Sequence, residues 1–110
     1  MPIYRLGEKC AVSSQIQAAD VAELAAEGFT TVICNRPDGE DIGQPAASDI
    51  AGECEAHGVG FHLIPVDRGG LTMDMVESFR AAVSASEGLV LAYCRSGQRS
   101  SVLWQASGSP

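Results

Sequence analysis

The segment Leu89-Val90-Leu91-Ala92-Tyr93-Cys94-Arg95-Ser96-Gly97-Gln98-Arg99-Ser100 runs from an unbroken apolar stretch into a short polar loop, and Ser101-Val102-Leu103-Trp104-Gln105 then reads as helix. A buried strand that delivers a cysteine to a Gly-containing loop opening a helix directs several backbone N–H groups and a positive helix end at the sulfur. A free thiol titrates near pH ~8.5, and a helix N-terminus with adjacent Arg lowers that value, so Cys94 is expected to be largely thiolate at neutral pH. The loop is read as a nucleophile in an electropositive, partly open surrounding.

Working outward, the chain alternates strands and helices. Glu8 to Val12 is the expected first strand. A helix follows with Ile16, Ala19, Val21, Leu24 and Ala25 on a roughly 3.6-residue period, stopping at Gly28. Phe29 to Cys34 is rich in β-branched residues, and Asn35 to Pro45 is broken by Pro37, Gly39, Gly43 and Pro45. Ala46 to His57 reads as helix, Gly60 to Val66 as strand, and Asp67 to Leu71 as a turn. Thr72 then caps a helix reaching about Ser86, before the strand Leu89 to Tyr93 and a last helix over Arg99 to Ser107. This order predicts a single α/β domain over residues 1–110, with a mainly parallel central sheet and helices on both faces. Sites in such sheets lie beyond the carboxyl ends of the strands, which brings together the loops Asn35 to Gly43, Asp67 to Gly70 and the Cys94 loop.

The ring of N–H donors that favours the thiolate also binds whatever sits above it, so loop length sets what the site holds. The spacing here is Cys-x4-Arg. Cysteine phosphatases use Cys-x5-Arg, a wider cradle for a tetrahedral phosphate, whereas rhodaneses use the shorter ring, which suits one added sulfur atom. Loop size alone therefore favours sulfur transfer over phosphate ester hydrolysis. Arg99 is assigned to the incoming anion, with Arg95 supporting it or simply solvated. Ser96, Gly97 and Gln98 contribute mainly backbone N–H groups, and Ser100 is placed to donate its hydroxyl to the thiolate.

Thr30-Thr31-Val32-Ile33-Cys34-Asn35-Arg36-Pro37-Asp38-Gly39-Glu40, Ile64-Pro65-Val66, Gly69-Gly70-Leu71-Thr72 and Leu91-Ala92-Tyr93-Cys94-Arg95-Ser96-Gly97 together resemble the bacterial beta-lactamase hydrolase-like proteins, in their phosphatase-like domain. The resemblance covers nearly the whole chain. It implies a body similar to dual-specificity tyrosine phosphatases and an active loop of rhodanese length, in a family whose members are described both as phosphatases and as sulfurtransferases. Some relatives carry a fused metallo-beta-lactamase-like domain associated with persulfide oxidation. This sequence has only His57 and His62 and lacks that domain's His-x-His-x-Asp-His pattern. By the same resemblance Asp67 falls on the loop where such phosphatases keep a general acid, although a turn aspartate bonded to nearby backbone is the simpler account. Arg36 and Asp38 are expected on the neighbouring rim, where either could orient substrate, with an ordinary Pro-Asp-Gly turn as the alternative.

With 110 residues the chain has room for one core. Apolar content of 45% and 19% charged residues are ordinary for a globular protein. A formal charge of −7 argues against a nucleic-acid partner. No run approaches the about 18 apolar residues of a membrane span, and no basic region followed by an apolar core opens the chain, so the expected setting is cytoplasmic, without membrane. Cys10, Cys34, Cys54 and Cys94 are widely spaced, and reduced thiols are expected rather than a disulfide framework. Cys10 and Cys54 read as core. Cys34, at a strand end, reads as core too, with a resolving thiol for Cys94 as the alternative. No Cys-x2-Cys or helical His pair supports zinc, so neither metal nor cofactor is expected.

Three functions remain at this point. The leading one is a sulfurtransferase: Cys94 takes sulfur from a small anionic donor as a persulfide and passes it to a thiol or cyanide acceptor, with a persulfide-oxidising metalloenzyme as a candidate partner. The second is a cysteine phosphatase acting on phosphoesters through a phosphocysteine, with Arg99 clamping oxygens and Asp67 as acid. The third is a non-catalytic redox or anion-sensing module.

Overall fold

A computed structural model describes residues 2–110. The strands β1 (Ile3–Arg5), β2 (Cys10–Ser13), β3 (Phe29–Cys34), β4 (Gly60–Leu63) and β5 (Leu89–Tyr93) form one sheet in the order β1-β2-β5-β3-β4. Between and after them lie helices α1 (Asp20–Ala26), α2 (Ala47–Ala56), α3 (Met73–Ala85) and α4 (Gln98–Ala106). All pairings among β2, β5, β3 and β4 are parallel. The expected α/β architecture is present.

β5 occupies the middle because its side chains can be buried on both faces. Val90, Leu91, Ala92 and Tyr93 are 0–1% exposed, as continuous apolar strands of parallel sheets require. Alternation along the strand sends them to separate cores. Leu91 and Tyr93 pack with Val21 and Leu24 of α1 and Ile50 and Cys54 of α2. Val90 and Ala92 pack with Val76, Phe79 and Val83 of α3 and Leu103 of α4. Burying a side chain such as Phe79 contributes about 1.5–3 kcal/mol, so each helix is held by its apolar stripe. α3 has in addition a side-chain cap, Thr72 accepting from the Met75 amide at 3.2 Å.

The first expected strand and helix both start later than the sequence reading placed them, at Cys10 and Asp20, so Ile16 and Ala19 lie outside α1; two further boundaries differ for clear reasons. The short strand β1 was not anticipated: it pairs antiparallel with β2, Tyr4 opposite Val12, through a turn in which the Leu6 amide donates to the Cys10 carbonyl at 3.0 Å. Three residues at a sheet edge, with Tyr4 63% exposed, carry no alternation strong enough to read. The other is β4, which ends at Leu63 rather than Val66 because Pro65 has no N–H to give the ladder. The chain nevertheless stays beside β3, with Ile64 donating to Cys34 at 2.9 Å and Val66 to Asn35 at 3.0 Å. That irregular continuation carries the Val66 carbonyl to the mouth of the Cys94 loop. No helix among the described residues is long and apolar enough to cross a membrane.

Candidate active site

The loop after β5 is shaped by one glycine. Gly97 is the N-cap of α4 and takes φ +92°, a left-handed conformation that costs an L side chain roughly 1–2 kcal/mol. The turn brings its amide to 3.0 Å from the Cys94 sulfur, to which it donates. Burial pushes the Cys94 thiol up, but the amides of Ser100, Ser96 and Gly97 and the Ser100 hydroxyl outweigh it, and the thiol lies below the ordinary cysteine value. The sequence expectation of an amide-lined sulfur at a helix N-terminus holds. Ser100 is fully buried and its hydroxyl has no hydrogen-bond partner of its own, which leaves it free to turn to the sulfur.

Cys94 is 1% exposed, so its surrounding is closed rather than partly open. The neighbouring basin of 410 Å³ is lined by Gly39, Glu40, Asp41, Arg68, Arg95 and Arg99, and Cys94 does not line it. The segment between β3 and α2 forms part of the wall of this basin, through Gly39, Glu40 and Asp41. Arg36, only 3% exposed, anchors that segment by donating to Glu40 Oε1 at 2.9 Å, Asp41 Oδ2 at 2.6 Å and Gln15 Oε1 at 3.0 Å. Arg36 is thus an internal anchor and not the rim residue expected. Asp38 is corrected likewise: its Oδ1 accepts from the Ala47 amide at 2.8 Å, satisfying a donor in the first turn of α2.

Arg99 stands where an anion-binding group is needed. Its Nη1 donates to Glu40 Oε2 at 2.8 Å and to the Val66 carbonyl at 2.9 Å, and its Nη2 donates to Glu40 Oε1 at 2.9 Å. The Arg99 and Arg36 guanidiniums hold the Glu40 carboxyl down at about 2. Arg95 is 69% exposed along its side chain, with Nε 3.3 Å from Asp41, a loose surface pair. Gln98 does not add its amide to the ring around the sulfur, because that N–H donates to Ser96 Oγ at 3.3 Å.

Asp67 joins Arg99, Val66, Gly70, Leu71 and Val102 around a more apolar cleft of 260 Å³. Its Oδ1 accepts from the Gly69 amide at 2.8 Å, the local turn bond that the simpler account expected. Cys34 sits opposite Tyr93 in the register of β3 and β5 and belongs to the core on the α1 and α2 side. Burial raises its thiol, which donates to the Arg36 carbonyl at 3.3 Å, so it reads as a packed core thiol. All four cysteines are free. A further cavity of 360 Å³, lined by Thr30, Gly60, His62 and Ser86 among others, contains none of the Cys94 loop residues. Glu40, Asp41 and Gln15 were missed in the sequence, where the only available signal was two acids following Pro37-Asp38-Gly39.

The sequence pattern of the phosphatase-like domain of beta-lactamase hydrolase-like proteins matches residues 3–109. The Agrobacterium fabrum protein named beta-lactamase hydrolase-like protein is 33% identical over 104 residues, covering 94% of this chain but 24% of its own length. The chain therefore spans about a quarter of that relative. A candidate phosphatase from Neisseria meningitidis Z2491 superposes with a TM-score of 0.84 at 43% identity, over 94% of this chain and 74% of that one. P. aeruginosa TpbA in complex with pTyr superposes at 0.66 with 20% identity, over 92% and 58% of the two chains, a likeness of fold. With a tyrosine-phosphatase-like fold and a match over almost its full length, the chain belongs to the family of phosphatase-like domains of beta-lactamase hydrolase-like proteins.

Proposed function

We propose that the domain is a cysteine-dependent hydrolase of small phosphate monoesters, with Cys94 as nucleophile and Arg99 as the anion-binding group. The observation that carries this reading is the Cys94 sulfur held below its ordinary pKa by the Ser100, Ser96 and Gly97 amides, with Arg99 beside it. The family and the Neisseria relative support phosphate chemistry over the sulfur chemistry that loop length favours. Cys94 thiolate attacks phosphorus and the bond to the leaving oxygen breaks, giving a phosphocysteine. Asp67, on the wall of the cleft that Arg99 also lines, is our candidate to protonate that oxygen. Water then attacks the phosphocysteine, releasing phosphate and restoring the thiolate.

Two observations favour the second reading, sulfur transfer. The Cys-x4-Arg ring is a residue shorter than the phosphatase cradle, and Asp67 is already engaged in its own turn. In that reaction the thiolate attacks the outer sulfur of a donor such as thiosulfate, sulfite leaves with the bonding pair, and an acceptor thiol later removes the sulfur. A persulfide-oxidising metalloenzyme would then be the natural consumer. In either case the substrate is a small anion met at the Arg99 mouth, in a protein whose free thiols suit the cytoplasm.

The deciding experiment sets wild type, Cys94→Ser and Asp67→Asn against p-nitrophenyl phosphate and against thiosulfate with cyanide. Phosphate release that is lost in Cys94→Ser and reduced in Asp67→Asn supports hydrolysis. Thiocyanate formation that needs Cys94 and tolerates Asp67→Asn, without phosphate release, replaces it with sulfur transfer. Turnover of neither substrate, with a stable Cys94 adduct, leaves the sensing module.

A further inference from the structure

The Arg99–Glu40 contact joins the first turn of α4 to the segment between β3 and α2, which meet only in the folded chain, and its atoms are specific. Glu40 meets Arg99 end-on, one oxygen to each terminal nitrogen, and the Val66 carbonyl takes a second Nη1 hydrogen. A guanidinium has five N–H donors. Three are spent in this way, leaving Nε–H and the second Nη2–H, which together form the side edge of the fork. Two parallel donors on one edge are the geometry that grips an oxyanion. The Glu40 carboxylate, and to a smaller extent the Cys94 thiolate, raise the Arg99 pKa, so the sulfur lies within electrostatic range of the guanidinium.

Glu40 is itself held. Its Oε1 accepts from Arg36 Nε as well as from Arg99 Nη2, so one oxygen bridges the buried arginine and the mouth arginine. The segment around it is tied down too: Gln44 Oε1 accepts from the Glu40 and Asp41 amides at 3.1 and 3.3 Å, and Gln44 Nε2 donates to the Pro37 carbonyl at 2.9 Å. A displaceable acidic plug would not need this scaffold.

We propose that Glu40 is a positioning residue, acting through Arg99: braced by Arg36, it holds the guanidinium by its end so that the side edge is presented to Cys94 and to the anion brought there. The inference rests on the reading of Arg99 as the anion-binding group and holds for phosphate and sulfur substrates alike. Holding the fork in place removes the entropy cost of ordering a long side chain when substrate arrives, which is how preorganisation improves binding.

The sign of one substitution separates positioning from blockade. Removing a negative charge beside Arg99 would by itself make the mouth more attractive to anions and lower the Cys94 pKa further. Losing the brace does the opposite, since the guanidinium swings out and the thiolate loses its cation. The experiment compares Glu40→Gln and Glu40→Asp in the full chain, with Asp49→Asn, an exposed acid on α2, as a charge control. Inorganic phosphate and thiosulfate binding are measured by calorimetry, and the pH dependence of Cys94 alkylation by iodoacetamide is followed by peptide mass spectrometry. Positioning predicts that Glu40→Gln weakens anion binding about tenfold, equivalent to about 1.4 kcal/mol, and moves the alkylation midpoint upward. Glu40→Asp keeps the charge but is a methylene too short to span both arginines, and it should fall between. Tighter binding with a lower midpoint would establish a blocking role and overturn the proposal, as would unchanged binding and midpoint. Neither readout needs turnover, so a domain inactive on every substrate tested would defeat the proposed function while leaving this result standing.

Discussion

Gly97 places its amide 3.0 Å from the Cys94 sulfur with its backbone at φ +92°, and since an added Cβ would meet the Ser13 carbonyl oxygen at an ordinary 3.4 Å, the cost of a side chain there is conformational. Conformation and chemistry are therefore coupled at this one position. Gly97→Ala should cost about 1–2 kcal/mol in urea unfolding and raise the Cys94 alkylation midpoint. An alanine variant with an unchanged midpoint would show that the Gly97 amide does not govern the sulfur.

The four thiols should separate by reactivity. Cys94 is lowered, whereas burial raises Cys10 and Cys34 and pushes Cys54 up to about 11. Limited iodoacetamide treatment in neutral buffer is expected to modify Cys94 first, at a rate rising through a midpoint below that of free cysteine. Linkage gives opposite signs for stability. The depressed Cys94 contributes stability above its unfolded pKa, lost as pH falls through the folded value. The raised Cys54 contributes below its unfolded pKa and loses that contribution as pH rises toward about 11. Cys94→Ser should therefore lose stability relative to wild type at alkaline pH more than at neutral pH.

Arg36 is buried with three side-chain partners, so its role is to hold the segment between β3 and α2 in place. Arg36→Met leaves Glu40 and Asp41 without that anchor and should destabilise the fold by about 1–3 kcal/mol. Arg36→Lys should rescue little, because an ammonium cannot reproduce three divergent planar donors. Limited proteolysis within 37–44, absent in wild type and present in both variants, is the expected accompaniment. Full rescue by lysine would argue that charge alone suffices.

Acid should spare the mouth longer than an ordinary carboxylate pair. Glu40, held down at about 2 by Arg99 and Arg36, keeps its charge well below the usual glutamate range. Its contribution to stability is present above the unfolded pKa and lost as pH falls through about 2. NMR titration of the Glu40 carboxyl is the direct measurement, and a midpoint near 4 would show that the paired geometry is not maintained in solution.

Thr72→Ala removes the α3 cap and should cost about 1 kcal/mol without altering Cys94 alkylation. A change in alkylation would reveal coupling from α3 to the active loop that the hydrogen bonds described above do not carry.

Local sequence carries the parts of this protein that depend on neighbouring residues. The apolar run Leu89 to Tyr93, the β-branched run Phe29 to Cys34 and the 3.6-residue stripes of α1 and α3 dictate a covered parallel sheet, since such segments can bury themselves in few other ways. The cysteine, the glycine and the helix start lie within a few residues of one another, so the amide-lined sulfur is also a local product. Tertiary structure decided what surrounds it. Arg36 became a buried anchor, Asp38 a partner for the first turn of α2, and Glu40, lacking any motif of its own, the brace for an arginine 59 residues away. Arg36 and Asp38 depend on how the segment after β3 folds back on itself, with Gln15 beyond β2 as the one distant partner, and Glu40 depends on that segment meeting the start of α4 beyond β5. Such meetings depend on strand order and register, which no stretch of sequence specifies locally.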